Sequence, residues 1–287
     1  MPQLFKQITI CGVGLIGGSL AMVARRDGLA GRIAGLGRSE ANLKLAAERG
    51  IVDLATRDPV DAARDADLVV LATPIRTMPA LLRAMRPALP PEAIVTDVGS
   101  VKQWVIAHLE PELGPRMALV AVHPIAGKET TGAGAADPAL FVDHRVIVTP
   151  SARSTPAALE AVETLWNATG ARVTRMAPEV HDRILARASH LPQAIASTLA
   201  AALHDARIDG LSTTDYGAGG LRDTTRIAAS SPEMWIDICL TNRAALLEAL
   251  GEFRGQLAEF ANALEQSDAG ALKKIFERGR AMRRGLA

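Results

Sequence analysis

The sequence predicts two successive fold classes: an α/β domain built on a mainly parallel sheet, then an all-α domain. Three observations predict this division. A glycine-rich turn separates the first apolar strand from the first helix. Short apolar strands then alternate with segments of helical spacing through the first half, the pattern of a parallel sheet with crossover helices. Past residue 176 the strand pattern stops and long helical spacing takes over, so the expected domains are 1–176 and 177–287.

Residues 6–11 form a short apolar strand that runs into Gly12-Val13-Gly14-Leu15-Ile16-Gly17-Gly18, with a helix expected over 19–26. This is G-x-G-x-x-G between a strand and a helix, the setting of a Rossmann-type dinucleotide site. Gly12 allows the tight turn, Gly14 lets a pyrophosphate approach the backbone, and Gly17 lets helix and strand pack closely. Free N–H groups at the helix start then bind the phosphates, and Leu15 and Ile16 in the turn join the glycines as cofactor-binding candidates. The second strand, 32–36, should end near the adenosine ribose, where an NAD site places Asp or Glu. Gly37-Arg38-Ser39 stands there instead. Arginine pairs with a 2′-phosphate and serine hydrogen-bonds to it, so the sequence leans toward NADP over NAD. Glu40 leaves NAD open: it either turns inward as a ribose ligand or sits in the first turn of the next helix, where the dipole favours it.

Further strands are expected over 67–72, 93–97, 118–122 and 145–149, and Met78, Leu81, Leu82 and Met85 recur at helical spacing. Ligands of such sheets collect beyond the carboxyl ends of the strands. Thr73-Pro74, Ser100 and His123 all fall there, each just after an apolar strand.

In the second half, Ile184, Leu185, Ala188, Leu191, Ile195, Leu199 and Leu203 make one apolar helical face, and Pro192 predicts a kink beside His190. The segment 214–223 reads as a glycine-rich loop able to close around a ligand, and Ser231-Pro232 starts another helix. Leu246, Leu250, Phe253, Leu257, Phe260 and Leu264 form a two-position seam on a long helix. That seam must be buried, either in a homodimer built on these helices or inside a monomeric bundle.

Composition removes several function classes. A formal net charge of +1 gives no basic excess for nucleic acid. No run approaches the ~20 apolar residues of a membrane span, and the N-terminus lacks a signal-peptide pattern, so a cytoplasmic protein is expected. Two cysteines, Cys11 and Cys239, in apolar sequence do not make a disulfide framework. The six histidines are scattered at no metal-ligand spacing, so no metal is expected. Walker A and G-x-S-x-G motifs are absent from the sequence. What remains is hydride transfer, in which the cofactor does the hard step and the protein positions and polarises.

His123, beside a rigid proline, is the candidate acceptor of a substrate hydroxyl proton as hydride leaves. Ser100 either donates a hydrogen bond near the same hydroxyl or caps a helix. Arg226 is either a bidentate carboxylate clamp or the partner of Asp223 or Asp182. His190 either binds a second polar group of the substrate or is a core histidine.

Taken together, the chain resembles the prephenate/arogenate (cyclohexadienyl) dehydrogenase family. The resemblance rests on Gly12–Leu20, Asp97-Val98-Gly99-Ser100-Val101-Lys102, His123-Pro124-Ile125-Ala126-Gly127, Ser189-His190-Leu191-Pro192 and Gly219–Ala228, in family order across nearly the whole chain. It implies a nucleotide domain, a helical dimerisation domain and an active site in the cleft between them. The implied reaction is oxidative decarboxylation of prephenate or L-arogenate in tyrosine biosynthesis, with hydride passing to NADP or NAD. His123 would remove the ring hydroxyl proton, with Ser100 beside it. His190 would face the substrate, Arg226 would bind its carboxylate, and Asp182 would support the site at the domain junction. Glu129 or its neighbour Lys128, on the loop leaving the site, would bias the choice between keto and ammonium side chains. Gly37-Arg38-Ser39 departs from the acidic residue of many NAD-using members. Two other readings remain: another two-domain hydroxyacid dehydrogenase, and a non-catalytic nucleotide-sensing dimer. The first commonly uses a lysine on a second-domain helix, but beyond residue 128 only Lys273 and Lys274 occur.

Overall fold

The computed structural model describes residues 2–286. Eight strands form one sheet: β1 (Phe5–Cys11), β2 (Ala30–Leu36), β3 (Leu54–Thr56), β4 (Leu68–Leu71), β5 (Ile94–Asp97), β6 (Ala118–Pro124), β7 (Arg145–Thr149) and β8 (Arg172–Arg175). Their spatial order is β3-β2-β1-β4-β5-β6-β7-β8, parallel throughout except where β7 runs antiparallel to β6. The order reverses direction at β1 and β4, the switch point where open α/β sheets bind nucleotides. Parallel register lines up Leu36, Cys11, Leu71 and Asp97, so everything that follows these strands gathers along one edge.

The connecting helices are α1 (Leu15–Arg26), α2 (Glu40–Glu48), α3 (Pro59–Ala63), α4 (Met78–Met85), α5 (Gln103–Leu109) and α6 (Pro156–Ala168). Local chemistry starts several of them. Ser39, Asp58 and Thr155 accept hydrogen bonds from first-turn N–H groups of α2, α3 and α6, and Pro59 and Pro156 sit where a missing N–H costs nothing. Strand β4 is buried on both faces, which explains its unbroken Leu-Val-Val-Leu, and β1 is buried from Gln7 to Cys11, with the Gln7 and Thr9 side chains donating to the Arg64 and Ala62 carbonyls. α1 begins at Leu15, earlier than the helix expected over 19–26. Gly17 and Gly18 lie inside it because the helix must approach the sheet closely: a Cβ on Gly17 would stand 2.4 Å from the Gly12 carbonyl oxygen.

The second half comprises α7 (Pro178–Leu185), α8 (Leu191–Leu203), a small hairpin of β9 (Arg207–Ile208) and β10 (Leu211–Ser212), then α9 (Gly219–Thr225), α10 (Pro232–Thr241), α11 (Arg243–Glu265) and α12 (Ala269–Arg284). Two local expectations are modified. Gly219 and Gly220 open a short helix and do not lie in a loop. The distortion expected at Pro192 falls one turn earlier, as a wide π-type turn over Ala186–His190. Pro192 has no N–H to offer the preceding turn, and it sits at the start of α8, where none is required. Ala186, Ala245 and Ala249 are small enough to let this turn pack against α11. The seam on α11 is buried at Leu246 but exposed at Leu257 and Leu264. Among the described residues, no helix is long and apolar enough to cross a membrane.

Candidate active site

The glycine-rich turn lies at the end of β1. Gly12 has φ +96°, and a Cβ there would meet the Ala72 carbonyl oxygen at 2.4 Å. Gly14 differs: it precedes the first turn of α1, and a Cβ on it would meet no atom within 4 Å. No side chain caps that turn, so the N–H groups of Leu15, Ile16 and Gly17 face open space above Gly14. Room above a bare backbone and unclaimed donors with positive helix potential fit a dinucleotide pyrophosphate. Thr73 and Pro74 follow β4 on the same edge, with the Thr77 hydroxyl donating to Thr73 Oγ1 at 3.1 Å. Arg38 is exposed and forms no ion pair among the described residues. Ser39 caps α2, and Glu40 occupies its first turn as an exposed residue, the second of its two expected positions.

Three strands away, His123 lies within β6, not just after it, and is 8% exposed. Its Nδ1 is 2.8 Å from His181 Nε2, and His181 Nδ1 is 2.8 Å from Asp182 Oδ1. Asp182 also accepts from the backbone N–H groups of Lys102 (2.8 Å) and Gln103 (2.9 Å). Burial opposes ionisation of Asp182, but hydrogen bonds from His181 and the two backbone groups outweigh it and hold the carboxyl below its ordinary range. An ionised Asp182 requires His181 Nδ1 to donate. Burial, working against the hydrogen bond to Asp182, lowers His181, so its ring is neutral and Nε2 is an acceptor. His123 Nδ1 must therefore donate, which leaves His123 Nε2 with a free lone pair. Burial first, then the cost of an imidazolium beside His181, Lys102 and His190, keeps His123 well below the usual histidine range. The result is a neutral base with a fixed tautomer.

His190 is turned inward by the π-type turn and is 1% exposed. The Asn242 amide donates to the Asp182 carbonyl oxygen at 2.9 Å and lies 3.1 Å from His190 Nδ1. With Nδ1 accepting, His190 presents Nε2–H. Burial lowers its pKa to about 4, so this donor is uncharged at neutral pH. Among the described residues, His190 Nε2 and the indole Nε1 of Trp235 are buried without a partner, and the two rings meet edge to face at 6.0 Å. Buried orphan donors cost about 1–3 kcal/mol each, which a polar ligand relieves.

Ser100 is half-buried on the turn after β5 and caps no helix; α5 starts at Gln103. Glu129 reaches the second half of the chain, where it pairs with Arg226 at 3.2 Å. Lys128 is taken by Asp137 at 2.7 Å within the first half. The Arg226 pairing is with neither Asp223 nor Asp182, and both its members are well exposed, so it is a weak latch. The structure thus joins His123 and Asp182 through His181, and Asp182 and His190 through Asn242. Sequence reasoning passed over His181, Asn242 and Trp235. The one available signal was the His181-Asp182 pair at the start of a helix, of which only Asp182 was singled out. Among the described residues no group of His, Cys, Asp and Glu could hold a metal ion.

A family model described as prephenate dehydrogenase, nucleotide-binding domain, matches residues 20–175, and one described as prephenate dehydrogenase, dimerization domain, matches residues 177–278. The cyclohexadienyl dehydrogenase of Zymomonas mobilis is 38% identical over 286 residues, 99% of this chain and 97% of that protein. The crystal structure of Aquifex aeolicus prephenate dehydrogenase, in complex with hydroxyphenyl propionate and NAD+, matches with a TM-score of 0.94 at 32% identity and covers 100% of both chains. Synechocystis arogenate dehydrogenase matches with a TM-score of 0.84 at 28% identity over 98% of this chain and 100% of that one. With both family models matched in order and this identity over nearly its whole length, the chain belongs to the prephenate dehydrogenase family.

Proposed function

We propose that the protein is an NAD(P)-dependent dehydrogenase that oxidises and decarboxylates prephenate, L-arogenate or both, on the route to tyrosine. The observation that carries this reading is the Asp182–His181–His123 chain, which ends in a free lone pair on His123 Nε2. His123 takes the proton of the ring hydroxyl as the ring carbon bearing it is oxidised. The ring carboxylate leaves as carbon dioxide, and its bonding pair completes the aromatic ring. His123 then returns its proton to the phenolate oxygen. When bound at the Gly12–Gly17 cradle, the nicotinamide cofactor supplies the hydride acceptor. Ser100 orients the hydroxyl, His190 Nε2–H binds a polar group of the substrate, and Arg226, released from Glu129, binds the side-chain carboxylate. Asp182 acts through His181, because its oxygens are already taken by three donors.

Initial rates with prephenate and with arogenate, each paired with NADP and with NAD, test this. Turnover with at least one substrate is expected, and none with any pair would overturn the reading. Unpaired Arg38, with Ser39 beside it, supports NADP as the preferred cofactor. The Aquifex aeolicus relative was crystallised with NAD+, and efficient turnover with NAD alone would refute the preference.

The helical region, taken as 177–287, would pair with a second copy. Leu247, Leu257, Leu264 and Phe276 are each more than half exposed on α11 and α12. Apolar side chains exposed along these two helices are what a covering partner would bury. Light scattering should return twice the chain mass of 30.2 kDa; a monomer at micromolar concentration would exclude the pairing.

A further inference from the structure

Asp97 and Lys102 are both 0% exposed and form an ion pair at 2.5 Å. Neither faces the substrate side in the mechanism above, and a buried pair of charges seldom contributes net stability over apolar residues of the same volume. Its hydrogen bonds suggest a different use. Asp97 Oδ2 accepts from the Gly99 N–H at 2.7 Å, immediately before Ser100. Asp97 Oδ1 accepts from the Val122 N–H at 3.1 Å, and Lys102 Nζ donates to the Val122 carbonyl at 2.7 Å, immediately before His123. The backbone N–H of Lys102 donates to Asp182, which orients His181 and through it His123.

We propose that Asp97 and Lys102 are a positioning pair for the reaction: they lock the Ser100 turn and the His123 strand against each other, and Asp97 holds the Lys102 ammonium in place behind the proton acceptor. The proposal rests on His123 being that acceptor. Gly99 fits the device, because a Cβ on it would stand 3.0 Å from Asp97 Oδ2 and from Ile75, leaving no slack in the turn.

The charged and titratable groups around His123 are few. β5 supplies Asp97, the following turn Lys102, α7 supplies His181 and Asp182, and the π-type turn supplies His190. β7 places only Ile147 opposite it. Burial does most to lower His123, and Lys102 lowers it further. Removing the ammonium therefore raises the pH at which His123 protonates. Since the neutral ring is the base, activity is then lost at higher pH on the acid side.

Two variants test the pair. Lys102→Met removes the charge, and Asp97→Asn with Lys102→Met removes both charges, which avoids an unpaired buried carboxylate if the single variant fails to fold. The acid limb of kcat/KM should move up by about one pH unit in folded Lys102→Met, the scale for removing a nearby like charge, and by less in the double variant, where a carboxylate is lost with the ammonium. The kcat on the plateau should fall about 10-fold or more through lost register. The imidazole resonance of His123, assigned by its disappearance in His123→Asn, should titrate at correspondingly higher pH, a shift that a merely structural role would not produce. A folded Lys102→Met variant whose His123 titrates at the wild-type pH, or a folded double variant with the wild-type plateau kcat, would overturn the proposal. A wild-type profile without an acid limb would instead defeat the reading of His123 as the base.

Discussion

Replacing His123 by Asn will lower kcat by about 100-fold or more, the scale of lost acid–base assistance, while the nucleotide dissociation constant stays within about twofold. The asparagine amide can still donate toward His181 Nε2, so the buried hydrogen-bond chain keeps an end group. What it lacks is a lone pair basic enough to take a hydroxyl proton. The cradle for the cofactor lies at β1, three strands from β6 in the sheet, so nucleotide affinity should not follow kcat down. A hundredfold loss corresponds to about 2.7 kcal/mol of transition-state stabilisation. Steady-state rates beside a fluorescence titration of the nucleotide decide the matter. Unchanged turnover would remove His123 from the chemistry, and an equal loss of nucleotide affinity would mean that the substitution had disturbed the sheet edge.

The second large effect separates two glycines three residues apart. Gly17→Ala puts a methyl 2.4 Å from the Gly12 carbonyl oxygen and 2.7 Å from the Ile10 side chain. The obstruction is backbone, so α1 must move off the sheet, at a cost of about 3 kcal/mol. Tm should fall by several degrees and nucleotide binding should fail with it. Gly14→Ala meets no protein atom, and the backbone there, at φ −109° and ψ −154°, is open to alanine. Tm should be unchanged within about a degree, since surface changes of this kind stay within roughly 0.5 kcal/mol. The methyl would nevertheless occupy the space above the helix start, and KM for the cofactor should rise about 10-fold or more. Wild-type cofactor affinity in a stable Gly14→Ala variant would show that no pyrophosphate lies there.

Burial of the three site histidines also ties the stability of the fold to pH. His123, His181 and His190 are all held below the ordinary histidine range, chiefly by burial. Unfolded histidines would bind protons near pH 6.5 and the folded ones only at lower pH, so stability falls as pH drops below about 6.5. The arrangement that supplies a neutral base thus also sets an acid limit on the fold.

Much of this was legible in the order of residues. Glycine spacing after an apolar strand located the cradle, because only glycine tolerates both φ +96° at Gly12 and the contact at Gly17. Alternating strands and helices gave a mainly parallel sheet, and such a sheet puts the residues after its strands on one edge, which singled out His123, Ser100 and Thr73. These are consequences of local periodicity and backbone sterics, which the sequence carries directly. The partners of His123 were not legible. His181 is 58 residues away, Asp182 is bonded to backbone 80 residues away, and Asn242 bridges Asp182 and His190 over 60 and 52 residues. Lys102 reads in isolation as a surface lysine, yet it is wholly buried, because β6 brings the Val122 carbonyl onto its ammonium beside Asp97. Such contacts depend on strand register and on how α7 and α11 dock against the sheet edge, and long-range docking of this kind leaves no local periodicity to read. The sequence by itself determined the two fold classes and singled out the glycine turn and His123 as candidates; only the tertiary structure decided which side chains fix the His123 tautomer and hold the ring neutral.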